Sequence, residues 1–138
     1  MSVEEVSKRY EGVISLLRFL RRCNKLSEVD KFASAPDAET AIDILRGMMS
    51  TVYRNVVVRN GKKYCFEEEV KPDEKAVYEF LCGKGCVNEV DGRYVVRVEC
   101  PDLPTDAELE DLGEDIAQGK VKPSTLAAMA LARRRRRP

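Results

Sequence analysis

The five cysteines are the first residues whose type and spacing suggest chemistry. They are Cys23, Cys65, Cys82, Cys86 and Cys100. The stretch C-G-K-G-C would serve as the knuckle of a four-thiolate zinc site, although its C-x-x-x-C spacing departs from the usual C-x-x-C. A disulfide joining two of Cys65, Cys86 and Cys100 is a second interpretation. Ordinary buried thiols, which behave as small hydrophobic groups, are the default.

Basic side chains form a second group with chemical meaning. They recur at i, i+3, i+4 and i+7 near the end of the first predicted helix, as Arg18, Arg21, Arg22 and Lys25. Guanidinium forks bind phosphate oxygens without reading a base sequence, so this face is typical of a nucleic-acid contact. The alternative is a solvated surface, because the chain is 35% charged and cations also complement a helix C-terminus.

Two further basic groups extend the same chemistry. Lys62 and Lys63 lie at the tip of a predicted hairpin. The chain then ends in five adjacent arginines: Arg133, Arg134, Arg135, Arg136 and Arg137. Like charges in such a run repel one another, so an anionic partner is expected. That partner is either nucleic-acid phosphate or the acidic 102–115 segment of this chain or of a neighbouring copy.

Catalytic motifs are absent from the sequence. The chain has no histidine, which removes the commonest general base and the commonest transition-metal ligand. It also has no G-x-S-x-G, Walker-type loop or G-x-G-x-x-G. Carboxylate clusters such as Glu67-Glu68-Glu69 are typical of solvated surface. We therefore expect a protein that is not an enzyme and has no metal, cofactor or small-molecule substrate.

The composition also bears on where the protein works. Abundant charge, a single glutamine and no tryptophan are typical of hyperthermophiles, in which ion-pair networks replace thermolabile amides. Apolar stretches are too short to span a membrane, and the charged start MSVEEVSKRYEG has no signal-peptide core. The expected location is the cytoplasm.

Helical periodicity at the start of the chain predicts the elements that position the first basic group. One long helix is predicted over residues 3–23 and is expected to stop at Asn24. Its apolar positions are Val6, Tyr10, Val13, Leu17 and Leu20. A second helix is predicted from Ala35, because Ser34 and Asp37 have capping-box spacing.

The helical spacing of apolar residues ends at Tyr53, and two sequences typical of β-hairpins follow. VVVRNGKKYCF turns at Asn60-Gly61 and VNEVDGRYVVRVE turns at Asp91-Gly92, both of which tolerate the positive φ of tight turns. A short helix, DEKAVYEFLCGKG, lies between them. Its residues predicted to face inward are Ala76, Val77, Phe80 and Leu81. The result is a ββαββ insertion over residues 53–101.

Helical signals return after the insertion. Thr105 and Glu108 form a second capping box that opens a helix over residues 105–118, and the last helix, STLAAMALA, is apolar on nearly all sides. Such a helix fits either a contact with another subunit or a plain core position. The predicted fold class is α+β, mainly α. A helical domain formed by residues 1–52 and 102–138 carries the small β-rich domain 53–101.

Two alternatives to phosphate binding by the helical part remain open. The segment EKAVYEFLCGKGCVNEVDGRYVVRVE resembles the end of a winged-helix domain, which would imply a stand-alone DNA-binding regulator. Glu74, Lys75 and Glu79 give its helix a poor surface for a major groove. The other alternative is a zinc-stabilised protein-interaction module that uses Cys82 and Cys86.

The order of elements resembles a known family. The stretch AIDILRGMMSTVYRNVVVRNGKKY, which runs from a helix into a hairpin, and the Ala-rich basic end are similar to the small subunit of the archaeal type I-A CRISPR interference (Cascade) complex. The resemblance implies a non-catalytic subunit in antiviral defence. Its implied protein partners are the backbone and large CRISPR subunits and further copies of itself. Its implied nucleic-acid partner is the crRNA–DNA hybrid or single-stranded DNA, bound through phosphates.

Overall fold

Helices precede and follow the four strands along the chain, and the strands form an antiparallel sheet. The computed structural model describes residues 1–132. Its helices are α1 (Val3–Arg9), α2 (Glu11–Arg22), α3 (Leu26–Ala33), α4 (Ala38–Val52), α5 (Lys75–Cys82), α6 (Asp106–Ala117) and α7 (Pro123–Leu131). Its strands are β1 (Val57–Arg59), β2 (Lys62–Val70), β3 (Val87–Val90) and β4 (Arg93–Glu99). This architecture confirms the predicted class, an α+β protein that is mainly helical.

The long N-terminal helix predicted over residues 3–23 is divided at Tyr10. This residue separates α1 from α2 with φ −118° and ψ 35°, and its hydroxyl donates a hydrogen bond to the buried carboxylate of Asp115 in α6. Arg9 adds an ion pair, with its Nε 3.4 Å from Asp115 Oδ2. The break therefore lies where the chain is tied to another helix. All five predicted apolar positions are buried.

The next two helices differ from the prediction. Helix α3 was not predicted, and it buries only Val29 and Phe32. Helix α4 begins at Ala38, because Asp37 itself is the N-cap: its carboxylate accepts a hydrogen bond from the backbone N–H of Thr40 at 2.8 Å. The predicted start at Ala35 is therefore wrong.

The two predicted hairpins are confirmed and join into one sheet. Asn60, Gly61, Asp91 and Gly92 all have positive φ, between 52° and 79°, as their turns require. The strand order is β1-β2-β4-β3, so β4 is an interior strand. Its pairing with β2 places Glu67 opposite Arg97.

Helix α5 buries only one of the four residues predicted to face inward, Leu81, and Ala76 is exposed. Tyr78 and Leu81 are buried, whereas Val77 and Phe80 are 48% and 61% exposed. The Tyr78 ring stacks on Phe66 of the sheet, with the ring centroids 6.4 Å apart. Contact with the sheet, which the local sequence does not encode, therefore selects the buried face.

Helices from both ends of the chain pack together. Helix α7 packs on α2 and α3, and α6 packs on α4. Leu126, Ala127 and Ala130 of α7 are buried, so the Ala-rich helix is a core element of a single chain. The same apolar cluster includes Val96 and Val98 of the sheet. One continuous core therefore joins the helices to the strands.

Helices α2 and α6 are connected by a hydrogen bond that the sequence did not indicate. Thr105 caps α6 as predicted, with its Oγ1 3.1 Å from the backbone nitrogen of Glu108. The Glu108 carboxylate does not return to Thr105. It accepts a hydrogen bond from the backbone N–H of Gly12 at 3.1 Å, which links the start of α2 to α6.

The chain enters and leaves the strand region at one place. The Tyr53 hydroxyl, just after α4, donates a hydrogen bond to the carbonyl oxygen of Pro101 at 2.8 Å. Pro101 follows β4 and precedes α6. The two connections between helices and strands are therefore adjacent. None of the helices within residues 1–132 has the length and apolar content needed to cross a membrane.

Candidate nucleic-acid interface

Two of the predicted phosphate-binding arginines lie along one groove. Arg18 and Arg22 of α2 line a cavity of about 420 Å³ that extends to Glu99 and Asp102, near the end of β4. Lys8 of α1 also lines it. Positions 18 and 22 share a helix face because they are one turn apart. The groove therefore lies where α2 meets the end of the strand region.

The other two members of the predicted helix face do not extend this groove. Helix α2 ends at Arg22, and Asn24 adopts φ 58°, so the chain turns before Lys25. Lys25 is the N-cap of α3 and lines a separate, mainly apolar cavity of about 550 Å³. Arg21 remains on α2 and is half-buried. The predicted i to i+7 helix face is therefore wrong at its last position.

Arg22 connects this groove to the turn end of the first hairpin. It lines a second cavity, of about 330 Å³, together with Lys62 of β2 and Arg97 of β4. The fold thus brings Arg18, Arg22 and Lys62 to neighbouring cavities from distant parts of the sequence. Lys63 is exposed beside Lys62. The five terminal arginines, Arg133 to Arg137, lie outside the described residues.

Ion pairs neutralise part of this basic surface. Lys62 Nζ lies 3.4 Å from Glu99 Oε1, and Arg97 Nε lies 2.7 Å from Glu67 Oε2. By contrast, Arg22 forms no ion pair with any residue in the range 1–132. Arg22 is also exposed, so its guanidinium is available to an external anion.

Glu67 is the acidic centre of an arginine network on the sheet. Hydrogen bonds from Arg59 and then Arg97 lower the pKa of the Glu67 carboxyl to about 2. The Arg59 Nη2 to Glu67 Oε1 distance is 2.9 Å. Because both arginines are held by one carboxylate, they contribute less to phosphate binding than their number suggests. The resulting surface should attract a polyanion only weakly.

The cysteines form two disulfides and one buried thiol. Cys65 pairs with Cys100, with Cα atoms 4.7 Å apart, which confirms a disulfide within the predicted set. Cys82 pairs with Cys86, with Cα atoms 6.2 Å apart, a pairing that was not predicted. Cys23 is free and buried, and burial raises its pKa to about 12. Only Cys23 fits the default interpretation of a buried thiol.

The geometry bears on both alternative interpretations. No group of three or more His, Cys, Asp or Glu residues is arranged to hold a metal ion in the part of the chain that the structure describes. The hairpin at Asp91-Gly92 would have been the wing of a winged helix. Its second strand, β4, pairs with β2 as well as β3. The hairpin is therefore part of a four-stranded sheet, unlike a free-standing wing.

Sequence reasoning missed two basic residues beside these cavities. Lys8 lines the first cavity and Arg97 the second. Lys8 lies about three turns before the predicted arginine face on what looked like one continuous helix, so helical spacing could have suggested it. Arg97 shows no comparable signal, because its position depends on the pairing of β2 with β4.

Comparison of the sequence with known proteins gives no match. No protein-family model matches the chain, and no curated protein matches it significantly.

Proposed function

We propose that this chain is a non-catalytic, cytoplasmic subunit of a nucleic-acid-binding assembly, and specifically the small subunit of a type I-A CRISPR surveillance complex. One observation carries the proposal. Arg18 and Arg22 from the helical part and Lys62 from the strand part line adjoining cavities across one junction. Such a surface would contact successive phosphates of a target or displaced DNA strand.

The arrangement of elements supports the choice of family. The helices at both ends pack together and the strands lie between them in the sequence, as the resemblance to the CRISPR small subunit implies. Its partners would be the other subunits of the complex, further copies of the chain, and a crRNA–DNA hybrid or single-stranded DNA. The small subunit of such a complex performs no chemistry of its own.

The balance of charges on the chain determines how strongly a single copy should bind DNA. The formal net charge of the chain is zero, and several basic residues at the junction are already paired. A single copy should therefore bind weakly, and several copies arranged along one strand should bind cooperatively through the same few contacts. Each phosphate contact lowers the logarithm of affinity by about 0.9 per decade of salt on duplex DNA.

The experiment is a fluorescence-anisotropy titration of unrelated DNA sequences, single-stranded and double-stranded, across a salt series. We expect weak, salt-sensitive binding without sequence preference. The double variant Arg18→Gln/Arg22→Gln should bind more weakly and show a shallower salt dependence. The single variant Arg22→Gln provides the same test if loss of Arg18 affects folding. Removal of residues 133–138 tests the arginine tail separately.

A matched double variant controls for net charge. Arg46 and Arg93 are exposed and each forms one long ion pair, at 3.7 and 3.6 Å, away from the junction cavities. Arg46→Gln/Arg93→Gln should leave binding unchanged. Equal losses in both double variants would show that overall charge, and not the junction, drives binding. A strong preference for one sequence would support a regulator instead, and no binding at low salt would assign the arginines to a protein partner.

A further inference from the structure

The Cys82–Cys86 disulfide occupies a chemically distinctive position. Both cysteines line the cavity of about 330 Å³ that also contains Arg22, Lys62 and Arg97. Cys82 ends α5 and Cys86 precedes β3, so the bond closes a loop of only three intervening residues. Gly83 and Gly85 have φ of 94° and 91°, values that glycine adopts without strain. The loop, residues 83–85, is exposed.

Cys82 and Cys86 line an open cavity, which distinguishes them from the remaining thiol. Cys82 and Cys86 are half-buried, whereas Cys23 is 3% exposed. A disulfide exchanges when a thiolate reaches one of its sulfurs along the S–S axis. The open cavity gives such access to Cys82–Cys86, and the core denies it to Cys23.

The charges around the cavity favour anionic reactants. Lys62 and Arg97 are each held by a carboxylate, Glu99 and Glu67 respectively. Arg22 has no such partner among residues 1–132. A guanidinium that lines the same cavity as a disulfide attracts an incoming thiolate. It also attracts any second negative charge on the reactant.

The reduced form is accommodated by the same backbone. Cys82 Sγ lies 2.8 Å from the carbonyl oxygen of Tyr78, one helical turn earlier. Cys86 Sγ lies 3.7 Å from the same oxygen. After reduction, the Cys82 thiol therefore has a hydrogen-bond acceptor in its present position.

We propose that Cys82–Cys86 is an exchangeable disulfide that reacts with small anionic thiols held at Arg22. The thiolate attacks Cys86 Sγ and forms a mixed disulfide as the Cys82–Cys86 bond breaks. Cys82 leaves with the electron pair and takes a proton from water. A second thiolate attacks the small-molecule sulfur of the mixed disulfide and releases Cys86 as a thiolate, which takes a proton from water. Two thiols are oxidised to one small disulfide, and the protein disulfide is reduced to two thiols.

The test uses the full-length oxidised protein and three thiols of similar size: mercaptopropionate, mercaptoethanol and cysteamine, which carry a negative, no and a positive second charge. Reactions are quenched with acid, alkylated, and mapped by mass spectrometry. Each rate per thiolate is divided by the rate of the same thiol with a neutral small disulfide, because nucleophilicity rises with the pKa of the thiol. We expect all three thiols to open Cys82–Cys86. Mercaptopropionate should react about tenfold faster than cysteamine, as expected for one nearby unit charge in water.

Two variants assign this preference to its source. Arg22→Gln should abolish the preference for the anionic thiol, and Arg21→Gln on the same helix should keep it. Circular dichroism verifies that both variants fold. The proposal is overturned if Cys82–Cys86 does not open, if the three thiols open it at equal rates, or if Arg22→Gln retains the preference. It does not depend on DNA binding, so the two proposals succeed or fail separately.

Discussion

At the residue scale, Glu67 couples the stability of the sheet to pH. Its side chain is 21% exposed and accepts hydrogen bonds from Arg59 and Arg97. These bonds lower its pKa from 4.5 to about 2. A carboxyl whose pKa is lower in the folded state stabilises the fold above its unfolded pKa. That contribution is lost as the pH falls from about 4.5 to about 2.

The free energy of unfolding of Glu67→Gln should therefore be about 1 kcal/mol lower than that of the parent at neutral pH. This value is the upper range for exposed ion pairs. The difference between parent and variant should shrink as the pH falls through this window. Urea denaturation at several pH values measures it. Glu69→Gln is the control, because Glu69 is exposed and contacts Arg93 at 3.6 Å only. Identical pH profiles for the two variants would contradict the prediction.

The comparison with the parent is needed because the pKa of another carboxyl is shifted in the opposite direction. Burial raises the pKa of Glu108, and its Oε2 has no hydrogen-bond partner among residues 1–132. Its protonated form is favoured in the folded state, so its contribution to stability decreases as the pH rises through the folded pKa. Only the difference between parent and Glu67→Gln isolates Glu67.

At the element scale, the contact between α2 and the segment before α6 depends on the absence of a side chain at Gly12. A Cβ built there would lie 2.6 Å from Pro104 Cα and 2.6 Å from Glu108 Oε2. Backbone cannot move as freely as a side chain end. Gly12→Ala should therefore destabilise the protein by about 1–3 kcal/mol, as overpacking typically does, despite alanine's higher helix propensity.

Gly47 of α4 offers a matched control for Gly12. A Cβ at Gly47 would meet nothing within 4 Å, so Gly47→Ala should stabilise α4 by up to about 1 kcal/mol. Urea denaturation of both variants and the parent gives the comparison. If Gly12→Ala were as stable as the parent, the close approach of α2 to Pro104 would not exist.

Local signals predicted most of the elements, and tertiary contacts explain the failures. The turns at Asn60-Gly61 and Asp91-Gly92 carry residues that tolerate positive φ, so both hairpins could be predicted. Helix α3 is eight residues long, too short to show a clear apolar period. The face of α5 was predicted wrongly because Phe80 and Tyr78 are both aromatic, and only the sheet determines which one is buried.

The candidate site was predictable only in parts. Helical spacing identified Arg18 and Arg22, and the hairpin signal identified Lys62. Nothing in the sequence indicated that these residues would line adjoining cavities, because that depends on how α2 packs against the ends of β2 and β4. Lys25 was misplaced because the turn at Asn24 redirects the chain.

At the scale of the whole molecule, the two disulfides should contribute unequally to stability. Cys65 and Cys100 are 35 positions apart, whereas Cys82 and Cys86 are 4 apart. In the chain-entropy model, closing these loops stabilises the folded state by about 4 and about 2 kcal/mol, respectively. Loss of the Cys65–Cys100 disulfide, which closes the longer loop, should therefore lower the melting temperature more than loss of Cys82–Cys86.

Thermal unfolding of two double variants under non-reducing conditions tests this order. Cys65→Ala/Cys100→Ala should melt well below the parent, and Cys82→Ala/Cys86→Ala only slightly below it. Mass spectrometry verifies that each variant retains the other disulfide. The reverse order of melting temperatures would show that the Cys65–Cys100 bond does not restrain the unfolded chain as its loop length implies.

The hydrogen bond between Tyr53 and Pro101 has an evolutionary consequence. The last residues of α4 and the segment leading into α6 lie side by side, and these two helices also pack against each other. A protein consisting of the helices alone would therefore need only a short turn between them. The strands and α5 therefore occupy the position of one insertion in the loop between α4 and α6.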